Sequence, residues 1–208
     1  MTDTAAARGA PAHQAPVSPL SGLKLPTVDG MARLDVMGAS GRLVLRADRA
    51  TADRIGDALG LDLALPVNRA GARDGVSTLR LGPDEWLILV DADGDAWLSA
   101  RIGDAVGDAP VSLVDVSHRS CTLRLEGEAV EDVLAAGCPL PLEERDFPVG
   151  RATRTLLAKS EIVLWRRATC SFQIEVATSF APYVVAFLAQ VIADEAAISA
   201  RDIGGGAG

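Results

Sequence analysis

The stretch Thr78 to Val90 constrains the fold of this chain more than any other. It reads Thr-Leu-Arg-Leu-Gly-Pro-Asp-Glu-Trp-Leu-Ile-Leu-Val. Leu79 and Leu81 alternate with Thr78 and Arg80, the period of a half-buried strand, whereas Trp86 to Val90 is continuously apolar, as in a strand covered on both faces. Between them, Gly82-Pro83-Asp84-Glu85 supplies turn chemistry, because proline presets φ near about −65° and has no N–H to give a ladder. A β-hairpin follows, with its strands central and Trp86 a core aromatic. Asp84 and Glu85 read as turn polarity.

Ahead of this hairpin, residues 1–26 are rich in Ala, Pro, Thr and Ser, with few large apolar groups to offset the entropy of ordering them. They predict a loose arm, and His13 within it is given no role. Order begins near Met31: Leu34 and Val36 alternate with Asp35, Gly38 to Gly41 turns the chain, and Leu43-Val44-Leu45 forms another strand. Asp48 to Leu59 carries Ala52, Ile55, Ala58 and Leu59 at helical spacing, with Asp48 or Thr51 available as cap and Gly60 as stop. Leu61 to Gly75 reads as a loop. After Val90, Asp91-Ala92-Asp93-Gly94-Asp95 lacks the glycine position and final glutamate of a calcium loop, so the acids read as N-cap chemistry for a helix from about Ala96 to Val106.

The remainder repeats the plan. Val114-Asp115-Val116 with Leu123-Arg124-Leu125 echoes the first strands, and Val133 to Gly137 echoes the glycine-stopped helix. Thr155-Leu156-Leu157 and Glu161 to Trp165, turning at Ala158-Lys159-Ser160, restate the hairpin. Ser171 to Val176 adds a strand, and Phe180 to Ile198 closes as a helix. The pattern predicts an α+β fold of two pseudo-repeated strand and helix units, with antiparallel sheets covered by helices. The expected layout is an arm over 1–26, a domain over 27–203 with halves of about 31–110 and 111–198, and a glycine-rich tail at 204–208.

With 208 residues, 49% of them hydrophobic, the chain can bury a full core, while a net charge of −8 argues against nucleic acid as a partner. Cys121, Cys138 and Cys170 are odd in number and form no C-x-x-C pair, so they read as buried, inert thiols in a reducing cytoplasm. No run reaches the roughly 18 consecutive apolar residues of a membrane span, and the N-terminus lacks a signal peptide's apolar region.

Leu81-Gly82-Pro83-Asp84-Glu85-Trp86, Val114-Asp115-Val116-Ser117-His118-Arg119, Gly137-Cys138-Pro139-Leu140, Phe147-Pro148, Arg154 to Lys159 and Ser179-Phe180-Ala181-Pro182-Tyr183 together resemble, in this order, the γ subunit family of heterotetrameric sarcosine oxidase. The resemblance covers about Leu34 to Leu188. It implies a non-catalytic subunit with a fold like that of the folate-binding aminomethyltransferases. It also implies α, β and δ partners that hold FAD, FMN, NAD, zinc and tetrahydrofolate. Such a complex oxidatively demethylates sarcosine to glycine with oxygen as acceptor, yielding hydrogen peroxide and passing the one-carbon unit to tetrahydrofolate or releasing formaldehyde. The alternative is a stand-alone folate-dependent protein of the aminomethyltransferase fold.

The search for chemistry points the same way. The chain has no dinucleotide G-x-G-x-x-G after a strand, no G-x-S-x-G elbow, no phosphate-binding loop and no H-E-x-x-H. Asp115, Ser117, His118 and Cys121 invite a triad reading, but strand and turn geometry aims such neighbours apart, and a polar turn that fixes the strand start or touches a partner is expected instead. No catalytic, cofactor-binding or metal-binding residue is assigned. Function is expected at an interface, with Arg151, Arg154, Arg166, Arg167, His118 and Arg119 as candidates, since arginine clusters in an acidic chain pair carboxylates at partly dry contacts. Arg166 and Arg167 must point to opposite faces of a regular strand, so one is either buried and paired or offered to a neighbour.

Overall fold

The computed structural model describes residues 20, 25, 27–28, 31–38, 40–91 and 94–204. The expected tail from residue 205 lies outside the described residues, as do most of the expected arm and His13. Leu20 and Leu25, inside that arm, pack against a core. The opening hairpin forms as β5 (Val76–Arg80) and β6 (Glu85–Asp91), antiparallel with Arg80 opposite Trp86. On β6, Trp86, Ile88 and Val90 face one core while Leu87 and Leu89 face another, which is why the run is continuously apolar.

Two antiparallel sheets are built around this strand. The five-stranded sheet runs β4 (Arg69–Arg73), β5, β6, β3 (Ser40–Arg46), β7 (Ser112–Asp115). The six-stranded sheet runs β1 (Thr27–Val28), β2 (Ala32–Val36), β8 (Ser120–Glu126), β11 (Ser171–Ala177), β10 (Ser160–Ala168), β9 (Ala152–Leu157). α1 (Arg49–Leu59) and α2 (Asp95–Val106) cover the first sheet through Ala52, Ile55, Leu98 and Ile102. α3 (Val130–Ala135) and α4 (Ala181–Gly204) cover the second through Val133, Leu134, Val184 and Leu188. Between the sheets lies a smaller cluster of Leu79, Leu87, Leu89, Ala152 and Trp165. The architecture is α+β in four layers, helices outside and sheets within.

The sheets meet at one corner, where Arg69 bridges Arg151, the Ala70 N–H donates to Gly150 (2.8 Å) and the Ala152 N–H to Asn68 (3.1 Å). β2 and β3 follow one another yet lie in different sheets, as do β7 and β8. The six-stranded sheet therefore takes β1 and β2 from before residue 110, and the five-stranded sheet takes β7 from after it.

Capping at α1 matches its sequence: Asp48 accepts from the Thr51 N–H at 2.8 Å, and Gly60 takes the left-handed conformation, φ 68°. These bonds hold the Asp48 pKa below its ordinary value, led by the backbone bond from Thr51. Elsewhere the expectations need correction. Leu61 to Gly75 is not all loop, because β4 pairs with β5 across Asp74-Gly75, both at positive φ (50° and 79°), the geometry of a tight hairpin turn. α2 starts at Asp95 with Gly94 as its N-cap and no side-chain cap, leaving Asp95 as the first-turn acid. α4 runs six residues past Ile198, through Gly204. Its Ala181–Ala200 stretch is long and apolar enough, by length and composition, to cross a membrane, but Ala181, Val184, Val185, Leu188 and Ile192 on it belong to the core.

Candidate functional site

The six residues raised as interface candidates do not form one patch. Arg166 is fully buried: its guanidinium donates to the Leu142 (2.8 Å), Phe147 (3.2 Å) and Thr169 (2.6 Å) carbonyls and to Glu131 (2.5 Å), over the Phe172 ring. It ties α3 and the 142–147 loop to β10, so its charge is used inside the chain. Arg151 is half-buried and turned toward the Asp146 carbonyl and the Phe147 ring. Arg154 is exposed and reaches across the corner to Glu85, which also binds Arg46 at 2.6 Å. Glu85, expected to be turn polarity, is therefore a buried link between the sheets.

Arg167 points to the opposite face from Arg166. Its guanidinium lies 4.3 Å from the Trp165 ring and donates to Gln173 at 2.8 Å. Desolvation of that end, then the charge of Arg124, lowers its pKa from the ordinary arginine value, with Glu126 opposing.

His118 and Arg119 sit at the other end of the sheet, where Ser120 pairs with Ala177. Asp115 accepts from both the Ser117 N–H (2.8 Å) and its hydroxyl (2.5 Å), an Asx turn that keeps the carboxyl acidic. That arrangement is a turn and not a triad, since Ser117 serves Asp115 and accepts from the Arg42 N–H. Thr178 fastens the turn to the next one: its N–H donates to the Arg119 carbonyl and its hydroxyl to that of His118. The latter turn leads into Phe180 and Tyr183, both exposed. Two sequence motifs, Val114 to Arg119 and Ser179 to Tyr183, are thus joined into one surface of exposed His118, Arg119, Phe180 and Tyr183.

A feature absent from the sequence reading is a buried polar network between the sheets. Arg42 of β3 pairs with Glu175 of β11 at 2.8 Å and donates to Thr122 (2.5 Å); Thr122 and Gln173 donate to Glu175 at 2.7 and 2.8 Å. Its only sequence signal is charge inside otherwise apolar strands. The cysteines are all free, but they differ: Cys138 is buried, Cys121 is half-buried with its thiol pKa pushed up by burial, and Cys170, expected to be buried, is exposed beyond the end of β10. Among the described residues, no group of three or more His, Cys, Asp or Glu side chains could hold a metal ion.

Residues 45–194 match the sarcosine oxidase, gamma subunit family. The chain is 36% identical over 138 residues to the sarcosine oxidase subunit gamma of Corynebacterium sp. (strain U-96), covering 66% of each chain. It is also 36% identical over 132 residues to that of Arthrobacter sp., covering 63% of this chain and 64% of the relative. The matched part spans less than two thirds of these relatives' length. In structure it is similar to a chain of the heterotetrameric sarcosine oxidase from Corynebacterium sp. U-96 in complex with pyrrole 2-carboxylate, with TM-score 0.79 and 29% identity over 87% of this chain and 96% of that one. The fold alone is shared with the glycine cleavage system aminomethyltransferase T from Bartonella henselae, at TM-score 0.61 and 16% identity, covering 76% of this chain and 45% of that one.

Proposed function

The chain belongs to the sarcosine oxidase, gamma subunit family, and from that premise we propose that it is a non-catalytic assembly subunit of a heterotetrameric sarcosine oxidase. The observation that carries this reading is the likeness to a chain of such a heterotetramer along 96% of that chain. In this reading the α, β and δ partners hold FAD, FMN, NAD, zinc and tetrahydrofolate and demethylate sarcosine, in the cytoplasm. This chain contributes a rigid docking body.

The docking face we propose is the surface of His118, Arg119, Phe180 and Tyr183. Aromatic residues and arginine are the side chains most enriched where interfaces hold their binding energy. Arg154 and Arg167 retain exposed side chains but lie away from this face, Arg154 on Glu85 and Arg167 at the opposite end of the sheet, while Arg151 and Arg166 act inside the chain. The matching strand orders β4-β5-β6-β3-β7 and β9-β10-β11-β8-β2 support reading the two halves as a pseudo-repeat that exchanges its first strands.

Affinity purification from the native source, with mass identification of companions, tests the assembly. Co-elution of large flavin-bearing subunits is expected. A chain that elutes alone with its own bound folate would establish the stand-alone alternative instead.

A further inference from the structure

Beside the Arg42 and Glu175 pair the facing sheets leave a cavity of about 510 Å³. Thr122 and Arg124 of β8, Gln173 of β11 and Arg167 of β10 line one wall; Leu89 and Met37 make an apolar one. The polar wall follows from strand period, since Thr122 and Arg124 are two apart and Gln173 is the register partner of Arg124. Thr122 and Gln173 are bonded within the network described above.

The two guanidinium groups are less well matched. The Arg124 Nε is buried and has no hydrogen-bond partner among the described residues, with the Glu126 carboxylate 3.9 Å away. Arg167 meets the neutral Gln173 oxygen and the Trp165 ring, and among the described residues it has no ion pair. Two guanidinium groups side by side on one wall, both next to Gln173, have the donor geometry to grip a planar anion. Around this cavity Arg73, Arg124 and Arg167 face Asp74, Asp91 and, beside Arg124, Glu126. These charges cancel, with Arg73 paired to Asp74, so the surround tolerates one added negative charge better than the two of a phosphate dianion, and the apolar wall calls for a ligand with an apolar body.

We propose that this cavity binds a small organic carboxylate, its oxygens bridging Arg124 and Arg167 and its body against Leu89 and Met37. The volume lies within the roughly 300–1,000 Å³ of ordinary ligand sites. The inference stands apart from assembly and holds for the chain alone or in a complex.

The test is a titration of the isotope-labelled full chain with benzoate, read at the arginine Nε–H signals, with inorganic phosphate at equal ionic strength as comparison. Benzoate should shift the Arg124 and Arg167 signals saturably and bind more tightly than phosphate. Arg124→Gln and Arg167→Gln should each weaken benzoate by roughly tenfold or more, the loss of one charge-assisted bond. Arg167→Gln, at an exposed position, serves alone if Arg124→Gln does not fold. Absence of a saturable shift, equal binding to the folded variants, or phosphate binding as tightly as benzoate would overturn the proposal.

Discussion

Arg42 on β3 and Glu175 on β11 form an ion pair at 2.8 Å across the gap between the two sheets, each side chain 4% exposed. Residues 133 positions apart are thereby locked together. Desolvating both charges is costly, and their attraction repays it only because Thr122 and Gln173 satisfy the remaining carboxylate lone pairs. Glu175→Leu should therefore destabilise the chain by about 3–5 kcal/mol, the cost of stranding a buried charge. Arg42→Met combined with Glu175→Leu should recover part of that loss, measured by the midpoint of urea unfolding. A double variant as unstable as the single one would show that the network acts through its hydroxyl and amide bonds and not through the charge.

Trp86 is fully buried, and its indole N–H donates to the Leu63 carbonyl at 3.1 Å. Trp86→Ala should cost roughly 3–5 kcal/mol, and Trp86→Phe, which keeps most of the ring but leaves that carbonyl unpaired, about 1–3 kcal/mol. A melting temperature unchanged by Trp86→Ala would place the residue at the surface.

The hairpins were legible because their signals are local. In β5 and β6, periodicity and a Gly-Pro turn suffice, and at α1 Asp48 and Gly60 mark both ends of the helix. β4 escaped because Arg69-Ala-Gly-Ala-Arg73 is an edge strand with no large apolar alternation; its available signal was Asp74-Gly75. The placement of β2 and β7 in opposite sheets from β3 and β8 depends on long-range pairing, which no local pattern encodes. For Arg166 and Arg167 the sequence required opposite faces but could not say which turns inward. That depended on Glu131 and the Leu142, Phe147 and Thr169 carbonyls, brought together only by the fold.

Acid should expose the α1 cap. Asp48 has a folded-state pKa lowered from 3.8 by the Thr51 N–H, so its contribution is fully present above pH 3.8 and is lost as pH falls through the lower folded value. Asp48→Ala should melt below the parent near neutrality, with the gap closing as pH drops beneath 3.8. A gap constant across that range would mean that Asp48 acts through backbone conformation and not as a carboxylate acceptor.

Assembly should depend on the face of Arg119, Phe180 and Tyr183 and not on Arg166. Arg166 bonds three carbonyls and Glu131 from a fully buried position, so Arg166→Glu places a second acid beside Glu131 and leaves those carbonyls without a donor. It should unfold the chain, with a loss of about 3–5 kcal/mol, and any failure to assemble would be secondary. Phe180→Ala with Tyr183→Ala removes exposed rings, which costs the isolated chain little, yet aromatic anchors at an interface centre are each worth about 2 kcal/mol or more of binding. Arg119→Glu adds repulsion if the partner surface is acidic and should respond to salt, whereas the aromatic pair should not. Co-purification with the large subunits at low and high salt separates these effects. If the aromatic double variant folds normally and assembles as tightly as the parent, the docking surface lies elsewhere on the chain.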